Sequence, residues 1–162
     1  MRCYFLRHGI AADREEWRGP DADRPLTDDG RKRMIREAKT MAALELGLDV
    51  IVTSPLVRAK QTAAIVAAKL DLRDRLVEDG DAGLDFDRGR LARILKKHPS
   101  ADAVMLVGHE PSMSETLGDL IGGARIDFKK GSLACVDLDE PSSLHGVLLW
   151  VLPPKVLTVR RR

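Results

Sequence analysis

Residues 103–107 read Ala103-Val104-Met105-Leu106-Val107, and the chain then runs through Gly108-His109-Glu110-Pro111 into Ser112-Met113-Ser114-Glu115. Five apolar residues in succession, closed by glycine and proline, suit a strand buried on both faces, which is what a parallel sheet between two helical layers demands. Ser112 and Glu115 stand at capping-box spacing, and Leu117, Leu120 and Ile121 follow at helical spacing, so a helix is expected directly after the turn. The unit is strand, turn with a histidine, helix.

The same unit recurs outward from that stretch. Cys3-Tyr4-Phe5-Leu6 is a short apolar strand that runs into Arg7-His8-Gly9 and then a polar loop as far as Pro25. Thr27, with Asp28 and Asp29 behind it, supplies a hydroxyl cap and two acids for the positive first turn of a helix carrying Met34, Ile35, Ala38, Met41 and Ala42, with Gly47 as its stop. Asp49 to Thr53 is a second strand, and Ser54-Pro55 is expected to open a helix with Ala59, Ala63, Val66 and Leu70 on one face. Leu76-Val77 is a weak third strand, and Asp87 is placed to cap a helix carrying Leu91, Ile94 and Leu95. Ser132 to Leu138 and Val147 to Leu152 are strand-like without a helix between them, so they are expected to pair antiparallel. The whole predicts one domain over residues 1–162, a three-layer α/β/α sandwich with a mostly parallel central sheet and an antiparallel edge.

Composition narrows the function classes. The chain has 162 residues, 44% hydrophobic and 32% charged, the balance of a globular protein. Twenty-seven basic and 25 acidic residues leave a net charge of +2, too even to indicate a nucleic-acid or membrane partner. The tail Arg160-Arg161-Arg162 reads as a solubilising end, with an interaction role as its alternative. No apolar run is long enough for a signal peptide or a membrane span, and Cys3 and Cys135 lie in apolar segments as reduced core thiols, so a cytoplasmic protein is expected. His8, His98, His109 and His145 are scattered, and neither CxxC nor HxxxH spacing occurs; no metal and no cofactor are expected. With 4% aromatic residues and no apolar interface stripe, a monomer is the expected state.

In open α/β sheets the ligand crevice lies beyond the carboxyl ends of the strands. Arg7-His8-Gly9, Ser54 to Arg58 and Gly108-His109-Glu110 each follow a strand there. Two arginines, two imidazoles and two helix N-termini on one end of a sheet describe an oxyanion site: guanidinium forks grip phosphate oxygens, and helix termini add partial positive charge. A histidine inside such a cage has its pKa lowered by the surrounding charge, stays neutral, and is then a nucleophile toward phosphorus. A second imidazole stabilises charge on the phosphoryl oxygens, so phosphoryl transfer needs no metal here.

The motifs Leu6-Arg7-His8-Gly9, Ser54-Pro55-Leu56-Val57-Arg58-Ala59-Lys60-Gln61-Thr62 and Gly108-His109-Glu110-Pro111 together resemble the histidine phosphatases, the phosphoglycerate mutase-like superfamily. Arg24-Pro25-Leu26-Thr27 with Gly30, the run Phe128 to Ala134, and Leu149 to Lys155 are similar to the small phosphohistidine phosphatases of the SixA type, over nearly the whole chain. The resemblance implies His8 as the phosphorylated nucleophile and Arg7, Arg58 and His109 as the phosphate pocket, with Gly9 and Glu110 beside them. It implies a phosphorylated protein, phosphohistidine first, as the substrate, with small phosphorylated molecules or Ser/Thr phosphates as the alternative and a non-catalytic phosphate-binding module as the other.

One departure bears on the substrate. Many members carry a glutamate after the third strand as general acid; the aligned position here is Gly83, with Asp81 and Asp85 as possible substitutes. A missing acid suits phosphohistidine, whose ring leaves as neutral imidazole once protonated. Ile10 likewise stands where some small members have an acid. Thr62 reads as helix packing, His98 as a helix C-terminal residue, and Lys129 and Lys130 as a solvated strand start with a substrate-rim role as the alternative.

Overall fold

The structure is a computed structural model that describes residues 1–140 and 142–158; the Arg160–Arg162 tail lies outside the described residues. The chain alternates β1 (Arg2–Arg7), α1 (Asp28–Ala43), β2 (Val50–Thr53), α2 (Val57–Leu70), β3 (Leu76–Glu78), α3 (Arg88–Lys97), β4 (Ala103–Gly108) and α4 (Ser112–Leu120). It closes with β5 (Leu133–Leu138), β6 (Gly146–Leu152) and a short α5 (Pro154–Leu157). The sheet order is β3-β2-β4-β1-β5-β6. The first four strands in that order are parallel, and β5 pairs antiparallel with both β1 and β6. This is the α/β/α sandwich with an antiparallel edge that the sequence pattern predicts.

Strand alternation divides the core into two layers. Cys3, Phe5, Val104 and Leu106 pack with Leu91 and Ile94 of α3 and with Met113 and Leu117 of α4. Tyr4, Leu6, Met105 and Val107 face the other way, onto Met34 and Ala38 of α1 and Ala63 and Val66 of α2. All six residues of β4 are buried, as the apolar run requires. Truncating a fully buried leucine such as Leu106 to alanine costs about 2–5 kcal/mol. Cys3 and Cys135 are free and buried on opposite faces of the sheet, so no disulfide joins them. Among the described residues no helix is long and apolar enough to cross a membrane.

Three local expectations give way. Helix α1 stops at Ala43 rather than near Gly47, because Glu45 and Gly47 both take left-handed backbone, with φ of 49° and 63°. Helix α2 begins at Val57, two residues past Pro55, because the Ser54 hydroxyl accepts the Leu56 N–H at 3.3 Å and holds that stretch as a turn. Ser112 is the first residue of α4 and not its cap, so the capping box does not form. Its hydroxyl donates to the His109 carbonyl instead, and Glu110 takes over the capping, accepting from the Ser114 N–H at 3.0 Å and the Ser114 hydroxyl at 2.6 Å. Thr27 and Asp87, by contrast, cap α1 and α3 through Gly30 and Arg90 as their positions suggest.

The topology then fixes where a ligand goes. Strands β1 and β4 are neighbours, with Arg7 in register with Gly108, yet α1 leaves toward one face of the sheet and α4 toward the other. That divergence opens a crevice at their carboxyl ends.

Candidate active site

His8 and His109 hang from the ends of these two strands, with ring centroids 5.2 Å apart and planes tilted by 55°. Both are buried, and they line a cavity of about 640 Å³ together with Arg7, Arg58 and Glu110. The four side chains remote in sequence therefore share one space. Gly9 follows His8 at the same strand end, and its N–H donates to the Thr62 hydroxyl at 3.0 Å. Thr62 in turn donates to the Arg58 carbonyl at 2.8 Å. The threonine that reads as packing thus ties the loop after His8 to the helix carrying Arg58.

The hydrogen bonds settle what His8 can do. Its Nδ1–H donates to the Gly9 carbonyl at 2.7 Å. A carbonyl only accepts, so the proton sits on Nδ1 and Nε2 carries the lone pair. Burial, first, and the charges of His109, Arg58 and Arg7 push the His8 pKa down to about 3, against the opposing Gly9 hydrogen bond. The ring is accordingly a neutral base across the physiological range. His109 is held down to about 4 by burial and by Arg58. Its Nε2 lies 2.7 Å from the Ser54 hydroxyl. The same hydroxyl accepts from Leu56 and can donate to Nε2, and that pairing places the His109 proton on Nδ1.

Three nitrogens on side chains that line this cavity, Arg7 Nε, Arg58 Nε and His109 Nδ1, are buried with no hydrogen-bond partner among the described residues. Leaving polar groups so is costly unless a ligand completes them, about 1–3 kcal/mol each. Other donors of the two arginines serve positioning. Arg7 donates from Nη1 to the Phe128 carbonyl at 2.8 Å. Arg58 donates to the Asp21 carbonyl at 2.8 Å and to its carboxylate at 3.1 Å. Asp21 also accepts from Arg24 at 3.0 Å, and these two arginines hold its carboxyl below its ordinary value although burial pulls the other way. The sequence pattern does not single out Asp21, which sits in a polar loop without periodicity. Ser54 appears in it only as a helix opener. The helical offset of four from Arg58 is the one signal that points to Thr62.

The candidate acids do not reach the cavity. Asp81 is bound by Arg93 at 2.8 Å and Lys97 at 3.2 Å, and the Arg93 hydrogen bonds hold its pKa down at about 2. Asp85 is exposed beside Arg90, and from this segment only Leu84 lines the cavity. Glu110 does line it, with its pKa raised by burial against the pull of Ser114 and Arg7, but both its oxygens are committed to Ser114. Among the described residues no group of three histidine, cysteine, aspartate or glutamate side chains is placed to hold a metal ion.

Comparison with known proteins bears on the family and the fold. The profile of the histidine phosphatase superfamily (branch 1) matches residues 3–81. An uncharacterized protein of Picosynechococcus sp. is 41% identical over 116 residues, 71% of this chain and 70% of that protein. The phosphohistidine phosphatase SixA of Escherichia coli is 26% identical over 163 residues, covering 95% of this chain and 94% of the relative. A solved structure of the protein histidine phosphatase SixA complexed with tungstate superposes with a TM-score of 0.85 at 25% identity, over 97% of this chain and 99% of that one.

Proposed function

The chain belongs to the histidine phosphatase superfamily, branch 1, a histidine-type hydrolase of phosphoryl groups, and from that premise we propose that protein phosphohistidine is its substrate and His8 its transient phosphoryl carrier. The observation that carries the reading is the set of three unpartnered buried nitrogens, on Arg7, Arg58 and His109, around a neutral imidazole whose Nε2 is free. A tetrahedral oxyanion offers them acceptors. The likeness to SixA, a phosphohistidine phosphatase in Escherichia coli, supports the choice of substrate.

The chemistry runs in two displacements. His8 Nε2 attacks phosphorus, and the bond from phosphorus to the substrate ring nitrogen breaks with its electron pair leaving on that ring. A substrate imidazole already protonated at its other nitrogen departs neutral and needs no acid from the enzyme. The Nδ1–H bond to the Gly9 carbonyl holds the His8 ring and stabilises the positive charge it gains. Water then attacks the phosphoryl group on His8, the bond to Nε2 breaks, the proton passes to the departing orthophosphate, and neutral His8 returns. Arg7, Arg58 and the Nδ1–H of His109 offset charge on the phosphoryl oxygens throughout. The capture of Asp81 by Arg93 and Lys97 fits a substrate of this kind, since an alkoxide leaving group requires a proton that Asp81 is not placed to give.

A panel of substrates spanning leaving-group basicity, assayed with EDTA present, tests the reading. Phosphohistidine peptides and aryl phosphates are expected to be hydrolysed and simple alkyl phosphates to lag far behind. Comparable rates on alkyl phosphates would replace it with a broad phosphomonoesterase.

A further inference from the structure

Beside the catalytic cavity lies a second groove of about 720 Å³ that shares Arg7, Ile10 and Lys130 with it. Arg7, Arg33, Lys129, Lys130 and Lys155 line this groove, and no acidic side chain among the described residues does. Its remaining lining is apolar, from Ile10, Pro153 and Pro154. The opposite arm of the catalytic cavity is mixed in sign, with Asp13, Glu16 and Asp21 set among Arg14 and Arg24. Of the groove's cations, Lys130 and Lys155 are exposed and form no ion pair among the described residues. Lys129 is paired only with the exposed Asp127 at 3.3 Å, a contact that solvent screening makes weak.

The groove is firmly built. Gly131 donates its N–H to the Arg7 carbonyl at 3.1 Å, which fixes the Lys129–Lys130 turn to the strand that carries the site. Gly131 has a φ of 84°, and a Cβ there would sit 2.6 Å from a carboxylate oxygen of Glu37, so the turn lies directly on α1. The same Glu37 holds Arg33 at 3.0 Å.

From this continuity and charge we infer that the groove binds an acidic stretch of the phosphorylated polypeptide, next to the residue whose phosphoryl group enters the cavity. The inference rests on the phosphohistidine reading above and names the feature of the substrate that the reading leaves open. The groove continues from the cavity through Arg7, Ile10 and Lys130, which is where the chain flanking a phosphorylated residue would run. Lys129, Lys130 and Lys155 are exposed and line the groove with apolar Ile10, Pro153 and Pro154, a lining that suits carboxylates carried on an extended chain.

Two synthetic phosphohistidine peptides of equal length test it, one with aspartates and glutamates flanking the phosphohistidine and one with asparagines and glutamines there. Two exposed ion pairs correspond to about tenfold in kcat/KM in favour of the acidic peptide, carried mainly by KM. The ratio should fall toward unity between about 20 mM and about 500 mM NaCl, where screening shortens to a few ångströms. Taking the ratio cancels any salt effect on the phosphoryl pocket itself. Lys155→Glu should bring the low-salt ratio to unity or below it. Equal kcat/KM for the two peptides at both salt concentrations, with phosphohistidine still hydrolysed, overturns the groove and leaves the phosphatase reading intact. Hydrolysis of neither peptide, with an aryl phosphate still cleaved, overturns the phosphohistidine reading and the groove with it.

Discussion

Replacing Ser54 by alanine removes a hydroxyl that is fully buried and lies 2.7 Å from His109 Nε2. Nothing else among the described residues bonds to either ring nitrogen of His109, since Nδ1 has no partner. The substitution therefore leaves a buried ring nitrogen unpaired, a loss of about 1–3 kcal/mol. It also releases the tautomer: with no donor at Nε2, the proton no longer has to reside on Nδ1, where the phosphoryl oxygen needs it. If the same energy is withdrawn from the transition state, kcat/KM falls by roughly 5- to 150-fold. Stability should fall as well, by about 2–10 °C in Tm for a chain of this length. The assay is kcat/KM on an aryl phosphate beside a thermal unfolding curve for Ser54→Ala. A variant within twofold of the wild type in kcat/KM would refute the reasoning, because His109 would then act without the orientation that Ser54 supplies. A Tm drop with unchanged kcat/KM would assign Ser54 a purely structural part.

Two further expectations concern charges next to the site. Glu37 is buried, and burial raises its pKa from 4.5 to about 7 against the pull of Arg33, so its share of stability is present below pH 4.5 and lost as pH rises through 7. At about 1.4 kcal/mol per pKa unit that share is on the order of 3 kcal/mol, so urea unfolding of Glu37→Gln should gain on the wild type between pH 5 and pH 8; a constant difference across that range would contradict it. Asp21→Asn keeps an acceptor for Arg58 and deletes a negative charge from the cavity wall, so orthophosphate should inhibit about 2- to 5-fold more tightly at low salt. Weaker inhibition would show that the carboxylate charge itself, and not only its geometry, holds Arg58 in place.

The layers of the fold were legible because each strand and helix speaks through periodicity. Tyr4, Phe5 and Leu6 alternate between the two core layers, and the run Ala103 to Val107 is buried from end to end. The four candidate residues meet in one cavity for a different reason: Arg7 ends a strand, His8 and His109 follow strands and Arg58 lies in a helix's first turn, where the topology sends them to one end of the sheet. What escaped are contacts made between segments far apart in the chain. The bond from Asp21 to Arg58 spans 37 positions, that from Gly9 to Thr62 spans 53, and that from His109 to Ser54 spans 55, and no local pattern encodes them. The capping box failed through a shift of one residue: with Pro111 before the helix, Ser112 enters the first turn, and the nearby Glu110 carboxylate reaches the free N–H groups first. The general-acid question was open in sequence because Asp81 and Asp85 are near neighbours of Leu84. Only the positions of Arg93 and Lys97, on the following helix, show that Asp81 is bound elsewhere.

In the proposed cycle a phosphoryl group passes through one ring nitrogen, His8 Nε2. Brief mixing of the protein with a labelled phosphohistidine peptide, alkaline quenching and peptide mass spectrometry should find one phosphoryl group on the peptide containing His8, labile to acid and stable to base. His8→Asn should show neither the adduct nor turnover. Label on another residue, or full turnover by His8→Asn, would contradict the account.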